Sequence, residues 1–418
     1  MSRAAIVIGW RIHPPWIDGT SVLARSVVNG LIELSEAMAF YPCLISTYWI
    51  PEHRRLSILN DELHRYKQSY LSKLASFEFL REPLPNPAPL MISALFRIIK
   101  RFRLERIYIH LFDQVLLNEA QLVLLLRKFS LLSKRKIRII DHVRTLTQLE
   151  TTRWNIIINK CIDVYALTSL TFKNIFKAIS PNDKERPMFL VIPPSINTRI
   201  FSSYPKEKAC EIITQRLNLD LCSNSDYTML HMASVSEDRF PAHFILKSLA
   251  KLKHQGINVS LIVASRDPIK NLKRLKTIIN ASKKYGLEEN IILLKRYLTE
   301  PEKVMLLNAV DVLLQLYSSR LTHDVIVPPL TLLEAMACGT PIISTKTLYT
   351  VDVVKDRLLD NLALKSLDVN EFSFKLESIL TDNSFRKKIA RIERKIVEDY
   401  FSISKLKEAI KRLYNELE

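Results

Sequence analysis

One carboxylate stands near the start of a helix in the most distinctive segment of the chain, Leu330 to Thr345 (LTLLEAMACGTPIIST). This carboxylate is Glu334, and the residues around it are small or apolar. The free backbone N–H groups of such a helix start suit a diphosphate, and a nearby carboxylate suits ribose hydroxyls. The alternative that these residues leave open is a buried helix whose single charge caps a neighbouring element.

A cation and a histidine could extend this chemistry. Arg239 lies in the run Ala233 to Phe240 (ASVSEDRF), and its guanidinium could hold a phosphate in a bidentate manner. The alternative there is a solvated surface arginine. His142 follows a β-branched run, which is where α/β sheets place their ligands, whereas a lone histidine is more often structural.

Glycine is scarce, with only 6 residues in 418, and no two of them lie within nine positions of each other. The P-loop and the G-x-G-x-x-G dinucleotide fingerprint both need clustered glycines, so the sequence excludes both. Any bound phosphate must therefore be held by a helix N-terminus, by single glycines or by cationic side chains.

Short β-branched runs alternate with longer helical segments, a pattern typical of parallel βα units. A first series comprises Ala4–Ile8, Ser21–Ala37, Ile107–Leu111, Ile137–Ile140 and Val164–Leu167. A second series comprises Thr228–Met232, Ala242–Lys253, Val259–Ala264, Ile291–Leu294, Pro301–Ala309, Val312–Leu316, Thr331–Cys338 and Ile342–Ser344. Clustered prolines and charges predict an irregular insertion at about residues 52–90. We predict a first α/β domain over residues 1–198, a second over 199–398, and a C-terminal helix over 399–418 that packs back on the first.

The charge and the cysteines limit the class of protein. Lys and Arg total 61 against 43 Asp and Glu, which gives a net charge of +18 and suggests a polyanionic partner or, alternatively, a generally basic surface. Five scattered cysteines without C-x-x-C or a Cys/His cluster favour reduced thiols over a zinc site or a disulfide framework. We expect neither a signal peptide nor a membrane-spanning segment.

Several segments together resemble glycosyltransferase family 4, whose members are retaining enzymes of the GT-B fold. The similar segments, in chain order, are Pro14–Gly19 (PPWIDG), Val191–Phe201 (VIPPSINTRIF), Tyr285–Leu294 (YGLEENIILL), Asn308–Leu314 (NAVDVLL) and the run LLEAMACGTPIIS that contains Glu334. The resemblance spans most of the chain. It implies two facing Rossmann-like domains with a cleft between them, and transfer of a sugar from a nucleotide-sugar donor.

The resemblance also implies roles for residues of the second domain. Glu334 matches the family's ribose-binding glutamate, and its helix neighbours Leu332 and Ala335 fall in the donor-binding segment. The family's other glutamate, eight positions earlier, is replaced by Ile326, and Asp324 is the candidate acid for the donor sugar. The alternative for Asp324 is an exposed loop residue.

Further donor contacts implied by the resemblance involve both domains. Arg239 takes the place of a diphosphate-binding lysine, while Ser234 replaces the arginine that usually accompanies it. His142 matches a histidine that the family presents to the donor sugar, where it would support the leaving oxygen. Arg144 would add positive charge near the diphosphate, and Gly19 would let the backbone approach the donor closely.

The predicted function is therefore a cytoplasmic, metal-independent glycosyltransferase that requires no cofactor and acts on a glycan or lipid-linked acceptor. Basic amphipathic segments at residues 89–106 and 125–138 could lie on an anionic membrane surface, or could simply pack on the sheet with a solvated basic edge. No nucleic-acid-binding motif accompanies the charge. The alternative function is a catalytically inactive GT-B scaffold that binds a glycan, a lipid phosphate or a partner enzyme.

Overall fold

The computed structural model describes residues 2–9, 12, 19–48, 68, 71–81, 88–112, 116–133, 135–143, 160–170, 173–174, 187–218, 225–265, 271–317, 328–345, 359 and 362–418. The chain forms two compact units. The first unit comprises Met1–Ser195 together with Ile403–Glu418, and the second comprises Ile196–Ser402.

The first unit is built on a seven-stranded parallel sheet in the order β3-β2-β1-β4-β5-β6-β7. Its strands are β1 (Arg3–Gly9), β2 (Tyr41–Tyr48), β3 (Ser76–Arg81), β4 (Arg106–Phe112), β5 (Lys136–Val143), β6 (Val164–Leu167) and β7 (Met188–Val191). The central strands β1 and β4 are buried over six consecutive residues each, because helices cover both faces of a parallel sheet. Continuous apolar runs therefore suit these positions better than alternating ones.

In the described part of the first unit, four helices pack against this sheet. They are α1 (Gly19–Met38), α2 (Ala88–Phe102), α3 (Leu116–Ser133) and, from the far end of the chain, α11 (Ile403–Leu417). The buried side chains of α11 recur at helical spacing and are Leu406, Ile410, Leu413, Tyr414 and Leu417. They complete the core that α1 and the sheet begin. A Cβ on Gly30 of α1 would lie 3.3 Å from Ile410 Cδ1, so the two helices pack closely there.

The second unit contains a five-stranded parallel sheet in the order β10-β9-β8-β11-β12. Its strands are β8 (Tyr227–Ala233), β9 (Val259–Ser265), β10 (Ile291–Leu294), β11 (Val312–Gln315) and β12 (Ile342–Ser344). Every residue of β9, β11 and β12 is buried. These three strands therefore have both faces covered.

The described residues of the second unit include seven helices. They are α4 (Lys206–Leu217), α5 (Ala242–His254), α6 (Leu272–Lys284), α7 (Glu300–Ala309), α8 (Leu330–Cys338), α9 (Val369–Thr381) and α10 (Asn383–Tyr400). Local sequence sets the ends of two of them. Thr299 and Glu302 form a capping box at the start of α7. Gly339 ends α8 with φ of 77°, a left-handed conformation that favours glycine.

Two expectations from the sequence need correction. Residues 52–90 are not wholly irregular, because Ser76–Arg81 forms the edge strand β3 and α2 begins at Ala88. The pairing partner β2 supplies the hydrogen bonds that make this segment a strand. The expectation that the cysteines are reduced is also wrong for Cys210, which is disulfide-bonded. Among the helices that the structure describes, none is both long and apolar enough to cross a membrane.

Candidate functional site

Open α/β folds bind ligands at the carboxyl ends of their strands, beside the position where the strand order reverses. In the first unit this point lies between β1 and β4, and in the second between β8 and β11. At the first point Gly9 pairs with Phe112, and a Cβ on Gly9 would lie 2.3 Å from the Phe112 carbonyl oxygen. Only glycine therefore fits at the end of β1.

In the second unit, Glu334 is a buried carboxylate with one oxygen paired and the other unpaired. Its side chain is 3% exposed, and Lys303 Nζ of α7 donates to Glu334 Oε1 at 2.6 Å. Glu334 Oε2 is buried without a hydrogen-bond partner in the described part of the chain. A buried carboxylate oxygen without a donor is costly to keep, so a ligand hydroxyl there would be a favourable partner.

The helix that carries Glu334 begins at Leu330, with Pro329 as N-cap and no side-chain cap. Helix starts of this kind leave backbone N–H groups that suit an anion. The side chains of Leu332 and Ala335 are buried in the apolar core of the unit. Any contribution of these two residues to binding would therefore come from the backbone rather than from their side chains.

The loop after β8 brings Ser234 and Arg239 to the carboxyl ends of β8 and β11. Arg239 is exposed, and its guanidinium carbon lies 5.6 Å from the ring centroid of Tyr317, just beyond β11. His231 Nε2 donates to the Ser234 carbonyl oxygen at 3.1 Å. Burial, together with a smaller effect of the nearby Arg239 charge, lowers the pKa of His231 to about 4. Arg239 is therefore a cation at this edge of the sheet beside a neutral histidine.

The Tyr317 hydroxyl adds a second polar group to the same edge. Burial raises the pKa of Tyr317, and its hydroxyl accepts a hydrogen bond from Gln315 Nε2 at 3.0 Å. Gln315 Oε1 is buried and, within the described residues, has no partner. The carboxyl end of β11 thus holds a second acceptor that a ligand donor could satisfy.

In the first unit His142 lies on β5, one residue before the strand ends, and is 4% exposed. Its ring stacks on Phe112 with centroids 4.0 Å apart, and its Nε2 lies 2.9 Å from His110 Nδ1 on β4. Burial lowers the pKa of His110 to about 3. The stack and the hydrogen bond therefore hold the His142 ring in one orientation.

Three candidate residues remain, namely Gly19, Asp324 and Arg144. Gly19 is the first residue of α1, the helix that follows β1. Asp324 and Arg144 lie outside the described residues, as does Ile326 at the position of the family's missing glutamate. His142 lies at a strand end and Arg239 lies in the loop after β8, whereas Glu334 lies on α8. Glu334 and Arg239 share no contact among the described residues.

Several residues of these clusters were not identified from the sequence. His110 follows the same β-run signal as His142, so it could have been found by the same argument. Lys303 and Tyr317 carry no such signal. Lys303 contacts Glu334 only because α7 packs beside α8.

Solved structures of similar fold identify the architecture. A sucrose-phosphate synthase from Thermosynechococcus elongatus superposes with a TM-score of 0.68, 14% identity and 99% coverage of both chains. A glycosyltransferase from Rickettsia africae ESF-5 has a TM-score of 0.67 and 14% identity over 100% of this chain and 99% of that one. An E. coli trehalose-6-phosphate structure bound with UDP-2-fluoro glucose has a TM-score of 0.63 and 12% identity over 98% of each. The chain has the two-domain GT-B fold.

A family model matches most of the second unit. Residues 224–396 match the model for glycosyl transferases group 1. No curated protein matches the chain. Within the matched segment, Ser234 and Ile326 stand where the family that the sequence resembles has an arginine and a glutamate.

Proposed function

We propose that the protein is a retaining glycosyltransferase that moves a sugar from a nucleotide-sugar donor to a glycan or lipid-linked acceptor. The observation that carries this proposal is Glu334, a buried carboxylate with an unpaired oxygen, inside the segment that matches the family. The E. coli structure of similar fold holds UDP-2-fluoro glucose, which supports a nucleotide-sugar as the donor class.

In the proposed donor complex each second-unit group has a separate task. Glu334 Oε2 accepts a hydrogen bond from a ribose hydroxyl, while Lys303 holds the other oxygen. The N–H groups at the start of α8 and the Arg239 guanidinium stabilise the diphosphate as it departs with negative charge. These groups would supply the charge stabilisation without a metal ion, and the sugar transferred is a hexose.

In the first unit His142 would contact the donor sugar and support the leaving oxygen. Its fixed ring orientation suits this task, because a preorganised donor need not be reoriented during the reaction. Asp324 and Arg144 keep the roles that the family resemblance implies.

We further propose that the first unit docks on an anionic membrane surface where a lipid-linked acceptor would lie. Leu131 and Leu132 at the end of α3 are 79% and 75% exposed. A cavity of about 500 Å³ nearby is lined by Lys100, Arg103 and Arg135, among others. Exposed leucines beside cations are the combination that binds anionic bilayers.

Binding of UDP- and GDP-sugars, measured by calorimetry together with donor hydrolysis, tests the proposed function. We expect one nucleotide-sugar to bind, and Glu334→Gln to weaken its binding by about tenfold, as for one hydrogen bond to a charged group. Glu302→Gln is the matched control, since Glu302 is also buried and paired but belongs to the capping box of α7. Its affinity should equal that of the wild type.

If no nucleotide or nucleotide-sugar bound the wild-type protein, the enzyme proposal would be wrong. The inactive GT-B scaffold would then be the better description. If a donor bound equally well to wild type and Glu334→Gln, the donor site would have to lie elsewhere.

A further inference from the structure

Three polar rings from three distant parts of the chain form a buried row in the first unit. His142 Nε2 of β5 lies 2.9 Å from His110 Nδ1 of β4, and His110 Nε2 lies 2.8 Å from the Tyr414 hydroxyl of α11. His110 is fully buried, and His142 and Tyr414 are 4% and 2% exposed. Their two hydrogen bonds therefore form away from solvent.

The protonation state of the middle ring limits how protons are arranged in this row. Burial lowers the pKa of His110 to about 3, so the ring is neutral at neutral pH and carries one N–H. Burial also raises the pKa of Tyr414 well above its usual value, so the hydroxyl keeps its proton. His110 must then donate to one neighbour and accept from the other.

Only one of the two possible directions uses every buried proton. If Tyr414 O–H donates to His110 Nε2, then His110 Nδ1–H donates to His142 Nε2. In the reverse direction His110 Nε2–H donates to the Tyr414 oxygen, and the Tyr414 proton has no acceptor among the described residues. A buried hydroxyl proton without an acceptor is unfavourable, so the first direction is the more stable.

We propose that Tyr414 is a positioning residue that, through His110, holds His142 in the tautomer with an unprotonated Nε2 and a proton on Nδ1. In this tautomer the His142 proton is on Nδ1, and the ring plane is held against Phe112. This inference rests on the proposed function, in which His142 contacts the donor sugar. It assigns the C-terminal helix a part in the donor site, across 304 positions of sequence between Tyr414 and His110.

The neighbouring tyrosine provides a matched control. Tyr108 stacks on Tyr414 with ring centroids 4.4 Å apart, and its hydroxyl is buried without a partner in the described part of the chain. Tyr414→Phe removes the hydroxyl that begins the row and keeps the stacked ring. Tyr108→Phe removes a hydroxyl of equal size that forms no hydrogen bond with any described residue.

Nitrogen NMR of histidine-labelled full-length protein measures the tautomer directly. In the wild type we expect His142 Nε2 to be unprotonated, with a coupling across the hydrogen bond from His110 Nδ1–H. In Tyr414→Phe we expect the His142 tautomer to change or become mixed and kcat to fall at least tenfold, with KM for the donor changed much less. Tyr108→Phe should match the wild type in both measurements.

Each outcome is informative. A protonated His142 Nε2 in the wild type, or an unchanged tautomer in Tyr414→Phe, would overturn the inference. The wild-type measurement decides it even if Tyr414→Phe does not fold. A changed tautomer with unchanged turnover would uphold the row of hydrogen bonds, and would instead contradict the role of His142 in the proposed function.

Discussion

Two buried carboxylates of the second unit differ in how their oxygens are used. Asp311 Oδ1 accepts from Lys206 Nζ at 2.6 Å and lies 3.8 Å from Arg386, while its Oδ2 accepts from the Thr228 backbone N–H at 2.9 Å. Glu334 has Lys303 on one oxygen and no partner for the other among the described residues. Asp311 is thus a saturated structural acceptor, whereas Glu334 keeps capacity for a ligand.

This difference predicts unequal costs for removing the two lysines. Lys303→Met leaves Glu334 without its charge partner. We expect the free energy of unfolding to fall by about 3 kcal/mol, which is the lower end of the usual loss when one partner of a buried ion pair is removed. Lys206→Met leaves Asp311 with Thr228 and Arg386, so we expect a loss of about 1 kcal/mol. Urea unfolding of both variants measures the two values. Equal losses would mean that Glu334 has a further partner.

At the scale of elements, the helices α2 and α3 combine packing with an exposed face. Some cations of this region are paired within the unit, since Arg127 of α3 and Arg138 of β5 both pair with Asp163, and Arg97 of α2 pairs with Glu78. These three cations therefore already have carboxylate partners. The exposed leucines at the end of α3 are therefore the more informative part of the proposed docking face.

Vesicle sedimentation tests that face. We expect the wild type to bind phosphatidylglycerol vesicles and the double variant Leu131→Ser, Leu132→Ser to bind at least tenfold more weakly, because two exposed apolar side chains no longer insert. Phe374→Ser in the second unit is the control, since Phe374 is 70% exposed and lies on another helix. Equal binding by both variants, or equal binding to neutral phosphatidylcholine, would contradict the proposal.

At the scale of the whole molecule, the described residues include in each unit a histidine that burial keeps neutral. The pKa is lowered to about 3 for His110 in the first unit and to about 4 for His231 in the second. Unfolded histidines take up a proton near pH 6.5, whereas these two folded ones do not. The unfolded state therefore binds more protons below that pH, and stability falls as the pH falls from about 6.5 towards 4.

This linkage predicts an acid-sensitive protein. At pH 5 each histidine is expected to cost about 2 kcal/mol relative to pH 7.5. Urea unfolding of His231→Asn at the two pH values should show a drop in second-unit stability about 2 kcal/mol smaller than in the wild type. His254→Asn, which replaces an exposed histidine, should show the wild-type drop. If His231→Asn lost as much stability as the wild type, His231 would not be held neutral.

Much of the local structure followed from the sequence because neighbouring residues decide it. The apolar run Ala4–Ile8 lies within β1, and Gly339 ends α8 as a glycine followed by Thr-Pro predicts. Strand β3 was missed, since its residues become a strand through pairing with β2. Glu334 and His142 were proposed as site residues from residue type, position along their elements and the family resemblance, which need no knowledge of packing, and these assignments remain predictions.

The sequence by itself determined the alternation of strands and helices, the absence of a glycine-rich phosphate loop and the candidate acid, cation and histidine. Only the tertiary structure decided their partners. Lys303 meets Glu334 across 31 positions, and Tyr414 meets His110 across 304. Periodicity and caps act over a few residues, whereas a buried hydrogen bond depends on which helices and strands pack together. The partners that set the charge and tautomer of a site residue are therefore determined by packing.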